Sequence, residues 1–440
     1  MLKTLFLIAL FVIFCLGATG AKAADAPKAT GTSAEPSQPG APVEPTLPEA
    51  ELLALAAGDT AFALDLYAKL KDSDGNLFFS PASVSAVFAL LREGAKGETL
   101  SQIDKILRFP ASEKGLSLAQ RMNELNQYLE KAGQSLKDDP KKTPKPNELS
   151  LANSLWPKEG LTILPDYLKA LGEDPNIYPV DYQKDSAGAV KKINGWVLEK
   201  TKDKIKDLLS SPLPKDTSLV LVNAVYFLGK WTHPFDPAQT KPRDFTLASG
   251  EKVNVPFVNQ KRAFAYLATN EGQILELPYG DKKLSLLAFL PKEGADGLAA
   301  LEKALTPENL ANWREGLKNH QVIVSLPKFE MVWGTNSLRK PLEDLGLTTP
   351  FKPTADFSGI TVDEKILVSD ILHKAFVSLD EEGTEAAAAS AAIMVRAARI
   401  EEPAVFTADR PFIFLIQEKA TGSILFLGRL ANPKPGEPAK

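Results

Sequence analysis

A single mixed α+β domain is the fold class this sequence predicts, and three observations lead to it. Residues with helical apolar spacing, among them Leu53, Phe62, Leu66 and Leu70, alternate with apolar runs such as TSLVLVNAVYFLG and QVIVSLPKFEMVW that suit buried strands. After the first 45 residues neither a convincing boundary nor an internal repeat divides the chain. The 440 residues are enough for a large core, because the buried fraction of the surface rises with chain length.

The ends of the chain read differently from its body. The opening MLKTLFLIALFVIFCLGATGAKA has a lysine, an apolar core from Leu5 to Leu16 and small residues around Ala21-Lys22-Ala23. This is the pattern of a secretory signal peptide over 1–23, cut after Ala23, and it implies a secreted or periplasmic protein; the apolar run is short for a membrane span. Cys15, the only cysteine, leaves with that segment, so the mature chain has no disulfide, thiol nucleophile or zinc–thiolate site. Residues 24–45 are rich in Pro, Ala, Gly, Ser and Thr and form a flexible tether. Taking Lys3 and Lys22 from the 51 basic residues leaves 49 against 55 acidic, a net charge of −6 that argues against a nucleic-acid partner. None of the asparagines stands in an Asn-X-Ser/Thr sequon, which leans toward a bacterial source.

Within the domain, taken as 46–436 with a short tail at 437–440, the elements can be placed in order. A first helix carries Leu53 to Leu70, and a second begins after NLFFSP, where Ser80 caps and Pro81 fits the first turn. The segment INGWVLEKTKDKIKDLL reads as a later helix, and the two apolar runs quoted above as strands. KDDPKKTPKPNE, from Lys137 to Glu148, is a surface loop with four solvated lysines.

Several chemistries are missing. The three histidines, His233, His320 and His373, have no metal-ligand spacing, and there is no nucleophile elbow, phosphate loop or dinucleotide fingerprint. The reading is therefore of a protein that is not an enzyme, with no metal and no cofactor.

Seven segments in order resemble the serpin family, the serine protease inhibitors. They are NLFFSPASVSAVFALLREGAKGETLSQI, INGWVLEKTKDKIKDLL, LVNAVYFLGKWTHPFDP, ILELPYG with LSLLAFLPKE, VSLPKFEM, HKAFVSLDEEGTEAAAA and RPFIFLIQEKATGSILFLGRLANP. The resemblance implies a monomer with three β-sheets, eight or nine helices and an exposed reactive-centre loop, here about 381–405. It also implies a mechanism in which a target protease cleaves the loop as an acyl-enzyme and the freed loop then enters the central sheet.

The hinge of that loop would be Glu381, Glu382, Gly383, Thr384, Glu385, Ala386, Ala387, Ala388 and Ala389. As a strand it would turn Thr384, Ala386, Ala388, Ser390 and Ala392 to one face, and small side chains there displace little on entering a packed sheet. Gly383 tolerates the widest range of backbone angles, as a hinge requires. The same alanines are also good helix formers, and a plain surface helix is the competing reading.

Following the family's spacing, seventeen residues inclusive from Glu381 end at Ala397, which puts the reactive bond at Ala397-Ala398; Arg396 and Arg399 stand as alternatives, since the loop is longer than the family pattern. The resemblance further implies a shutter of Ser80, Ser83, Asn223 and His373. At the upper opening, or breach, it implies Trp231, with Lys328 as ion-pair partner of Glu381. Elastase- or subtilisin-like serine proteases are the first partners implied and trypsin-like ones the second, with papain-like cysteine proteases as a secondary target. The alternative function is a non-inhibitory binding or carrier protein of the same fold.

Overall fold

Helix α1 (Glu49–Leu70) buries Leu52, Leu55, Phe62, Leu66 and Leu70, whereas Leu53, assigned above to that face, is 41% exposed. Phe62 follows Leu53 by nine residues, two and a half helical turns, so the two must lie on opposite sides. The computed structural model describes residues 47–111, 115–133, 147–172, 175–381 and 402–434, within one compact unit, Pro45–Lys440. The expected signal and tether, most of the Lys137–Glu148 loop, residues 382–401 of the expected reactive loop and the expected tail lie outside the described residues.

Eight further helices follow: α2 (Pro81–Arg92), α3 (Gly97–Ile106), α4 (Leu118–Gly133), α5 (Pro165–Leu171), α6 (Ser186–Lys200), α7 (Gly297–Ala304), α8 (Pro307–Gly316) and α9 (Arg339–Asp344). Ser80 caps α2 with Pro81 in its first turn, its hydroxyl accepting the Ser83 N–H at 3.3 Å. Helix α6 stops nine residues short of the expected end at Leu209. Its last turn is closed by the Thr201 hydroxyl, which donates to Val197 O at 2.7 Å and accepts from Ile205 N at 3.1 Å. Lys202 and Asp203 then adopt left-handed φ of 49° and 62°, which no α-helix can continue through.

The strands are β1 (Leu77–Phe79), β2 (Glu148–Pro157), β3 (Leu219–Leu228), β4 (Lys241–Thr246), β5 (Lys252–Ala268), β6 (Gly272–Pro278), β7 (Leu284–Pro291), β8 (Lys318–Pro327), β9 (Phe329–Ser337), β10 (Asp370–Leu379), β11 (Ala404–Thr407), β12 (Phe412–Glu418) and β13 (Ile424–Leu430). They form two sheets among the described residues. One has the order β2-β3-β10-β9; the other runs β1-β13-β12-β7-β6-β5-β8-β11, with β4 on β5. Three sheets were expected, and the difference comes from β5. Its 17 residues pair with β4 and β8 along one part and with β6 at the other end, which joins two layers into one hydrogen-bonded network. The run QVIVSLPKFEMVW is likewise divided: Lys328 separates β8, in the large sheet, from β9, at the edge of the small one.

Helix α2 packs against β2, β3 and β13, so its polar N-terminal turn lies in the interior. Aromatic side chains join the sheets in the core, with Phe78 stacked on Phe426 at 4.9 Å and Phe227 tilted against the same ring at 5.9 Å.

One buried acid stands out between α1 and α2. Asp59 is 4% exposed, its carboxyl accepting the Ser85 hydroxyl at 2.5 Å, and burial raises its pKa from 3.8 to about 7 although that hydrogen bond opposes the rise. A raised folded-state pKa means stability that is fully present below pH 3.8 and falls as pH rises to about 7, by up to about 4 kcal/mol. Asp59→Asn should therefore gain stability relative to the parent between pH 5 and 8, by roughly 2–3 kcal/mol. Urea midpoints of both proteins across that range check it, and a constant difference would contradict the buried protonated acid.

Candidate functional site

The small sheet contains one parallel pair. β3 and β10 run side by side from Val220↔Asp370 to Tyr226↔Phe376, while their outer neighbours β2 and β9 are antiparallel to them. Pairing stops at Tyr226↔Phe376 although both strands continue, so above that point Phe227 and Leu228 part from Val377, Ser378 and Leu379. Parallel ladders are slightly weaker per residue than antiparallel ones. This seam is where the sequence-derived residues meet.

At mid-seam, Asn153 of β2, Asn223 of β3 and His373 of β10 stand in register across three strands, above the N-terminus of α2. His373 is fully buried; its Nε2 accepts the Ser80 backbone N–H at 3.1 Å. The ring proton therefore sits on Nδ1, which donates to the Asn223 side-chain oxygen. The Asn223 amide donates to Ser83 Oγ and to Asn153 Oδ1, both at 2.5 Å, and Ser83 Oγ donates to Asn153 Oδ1 at 3.1 Å. Burial lowers the His373 pKa from 6.5 to about 3, so the ring is neutral at ordinary pH. The bulge between Leu372 and Lys374 opposite Gly334 completes the setting: Gly334 has φ +108°, and a Cβ there would lie 2.0 Å from His373 O.

Sequence reading brought Ser80, Ser83, Asn223 and His373 into one group and missed Asn153, whose only signal was a polar residue inside the apolar run of β2. It also missed Lys374. Its ammonium reaches from β10 to Lys206 O at 2.8 Å and Asp207 O at 3.3 Å, tying that strand to the segment between α6 and β3.

At the upper end, Trp231 stacks on Tyr279 with centroids 4.4 Å apart, and its indole N–H donates to Asp380 O at 3.0 Å. The next residue, Glu381, is nearly buried and held on three sides. Its Oε2 accepts from Lys328 Nζ at 2.6 Å, its Oε1 from the Thr240 hydroxyl at 2.7 Å, and its carbonyl oxygen from Phe235 N at 2.7 Å. Burial opposes ionisation of Glu381, but the hydrogen bonds from Lys328 and Thr240 and the Lys328 charge together hold its pKa below the ordinary value. Thr240 and Phe235 carried no sequence signal. Of the remaining residues named from the sequence, Glu382 to Ala389 and the bonds around Arg396, Ala397, Ala398 and Arg399 lie outside the described residues. Among the described residues there is no cluster of three or more potential metal ligands.

Known proteins resemble this chain in sequence and fold. The family model described as serpin (serine protease inhibitor) matches residues 57–433. The leukocyte elastase inhibitor of Bos taurus is 38% identical over 391 residues, 86% of this chain and 99% of that protein. A serpin-like protein of Thermococcus kodakarensis is 36% identical, with 86% of this chain and 85% of the relative covered. Among solved structures, uncleaved ovalbumin superposes with a TM-score of 0.75 at 28% identity, covering 86% of this chain and all of that one. Human thyroxine-binding globulin complexed with thyroxine gives 0.74 at 29%, covering 88% of this chain and all of that one. Matched along most of its length by both sequence and fold, the chain belongs to the serpin family.

Proposed function

We propose that this serpin is an exported suicide inhibitor of serine proteases that traps its target by inserting the cleaved reactive loop between β3 and β10. The observation that carries this reading is the seam: two parallel strands in direct contact, already parted above Tyr226 and Phe376. The chain leaves β10 at that open end. A segment turning back from there runs antiparallel to both neighbours, so its entry replaces one parallel ladder by two antiparallel ones. Thr384, Ala386 and Ala388 of the hinge offer small side chains to the path, and relatives named for elastase inhibition support the target class. In this reading Glu381, Lys328, Thr240 and Trp231 hold the loop's root at the mouth, and the Asn223–His373 contact is broken as the third strand enters.

The likeness to human thyroxine-binding globulin complexed with thyroxine supports a second reading. On that reading the chain is a binder or carrier that never inserts. The alanine-rich hinge argues for insertion. Mixing the protein with elastase-like and trypsin-like proteases separates the two, because only an inserting inhibitor leaves an SDS-resistant complex. With the bond at Ala397-Ala398, the released C-terminal peptide begins at Ala398; a start at Ala397 or Ile400 moves the bond to Arg396 or Arg399 and the target to trypsin-like enzymes.

Thr384→Arg should convert the inhibitor into a substrate, because an inward arginine must be desolvated as the strand enters and the slowed insertion lets the acyl-enzyme hydrolyse. The ratio of cleaved to complexed product reads this out, and an unchanged ratio would refute the inward placement. Residues 384–392, once inserted, add backbone hydrogen bonds worth about 0.5–1.5 kcal/mol each. Protein cut in the loop by a protease that is not trapped should then melt higher than intact protein, by roughly 10 °C or more. Equal melting temperatures, with the cut verified by mass, would select the binder.

A further inference from the structure

A cavity of about 110 Å³ opens between α2, α4 and β2, several times the about 10–15 Å³ that one water requires. Asn126 and Glu130 reach it from one face of α4, four residues apart, and Asn153 reaches it from β2. The Glu130 carboxylate accepts the Leu151 N–H at 2.9 Å, and no lysine or arginine of the described residues makes an ion pair with it. One turn away, the side-chain oxygen of Asn126 is buried with no hydrogen-bond partner. Burial holds the Glu130 pKa above its ordinary value, and the Leu151 hydrogen bond only partly opposes that. The cavity is thus lined by a carboxyl group lacking a cation, beside a buried amide oxygen with no hydrogen-bond partner.

We infer that this cavity is a binding site for a small organic cation carrying N–H donors, an alkylammonium or alkylguanidinium, held between Glu130 and Asn126. An alcohol could satisfy the amide oxygen but would leave the carboxylate without a counter-charge. A quaternary ammonium supplies charge but no donor, and an anion is repelled. The site also touches the seam. Asn153 accepts from Ser83 and Asn223, and Asn223 in turn accepts from His373. Its walls come from the α2–α4 helix pair and from β2, the strand that must travel with β3 when β3 leaves β10. On the inhibitory reading above, a bound cation bridges these walls and slows insertion.

Titration calorimetry on the intact mature chain tests the site with propylguanidinium and propylammonium as probes and tetramethylammonium and propan-1-ol as controls. Saturable binding of the two probes alone is expected, weakened about tenfold or more in Glu130→Gln, which keeps the side-chain shape. Asn126→Leu should weaken it as well, and unchanged ligand-free melting of either variant shows that its fold is kept. Equal binding to Glu130→Gln, or equal binding of propan-1-ol, overturns the site. Coupling is read separately, as the cleaved-to-complexed ratio with an elastase-like protease, which should rise under saturating propylguanidinium. Binding with an unmoved ratio refutes the coupling; if no complex forms under any condition the inhibitory reading fails, while the titration still decides the site.

Discussion

The parallel ladder between β3 and β10 is the contact on which the rest of the small sheet depends. It brings together strands whose cores are almost wholly apolar and sets a buried hydrogen-bonded cluster across their join. A cluster of this kind is strong while every member is satisfied and costly when one is not. His373 shows why: with Nε2 accepting from Ser80, a second ring proton would set one N–H against another. The stability that neutral His373 contributes is present above pH 6.5 and is lost as pH falls toward about 3. Asp59 works in the opposite sense over an overlapping range, so acidification favours the α1–α2 packing while loosening the seam.

Three groups hold the strands of the seam. The asparagine–histidine cluster closes its middle, Lys374 ties β10 to the chain that follows α6, and the Glu381 contacts fasten the chain just beyond the end of β10. They differ in kind. Burial protects the cluster from water, whereas Lys328 is one-third exposed and its pairing with Glu381 is partly screened. The upper end is therefore the more easily released, and it is also where β3 and β10 have already separated. On the proposed inhibitory reading, a strand entering there would meet a polar lock of moderate strength before it reached the buried one.

The sequence by itself determined the class of the fold, the cap of α2 and the strand character of the runs that became β3, β8 and β9. Those features rest on local chemistry: apolar periodicity and a serine before a proline. The grouping of Ser80, Ser83, Asn223 and His373 was legible only through residue patterns that match a known family. Tertiary structure decided what periodicity cannot carry. Two and a half turns placed Leu53 on the wrong side of α1, and one lysine divided an apolar run between two sheets. A single long strand fused two sheets that were expected to be separate. Asn153 and Thr240 became part of the site only through contacts 70 and 141 residues away along the chain. Such contacts depend on strand register and on which layers face each other. Both are set by packing across the whole core, and no short stretch of sequence contains them.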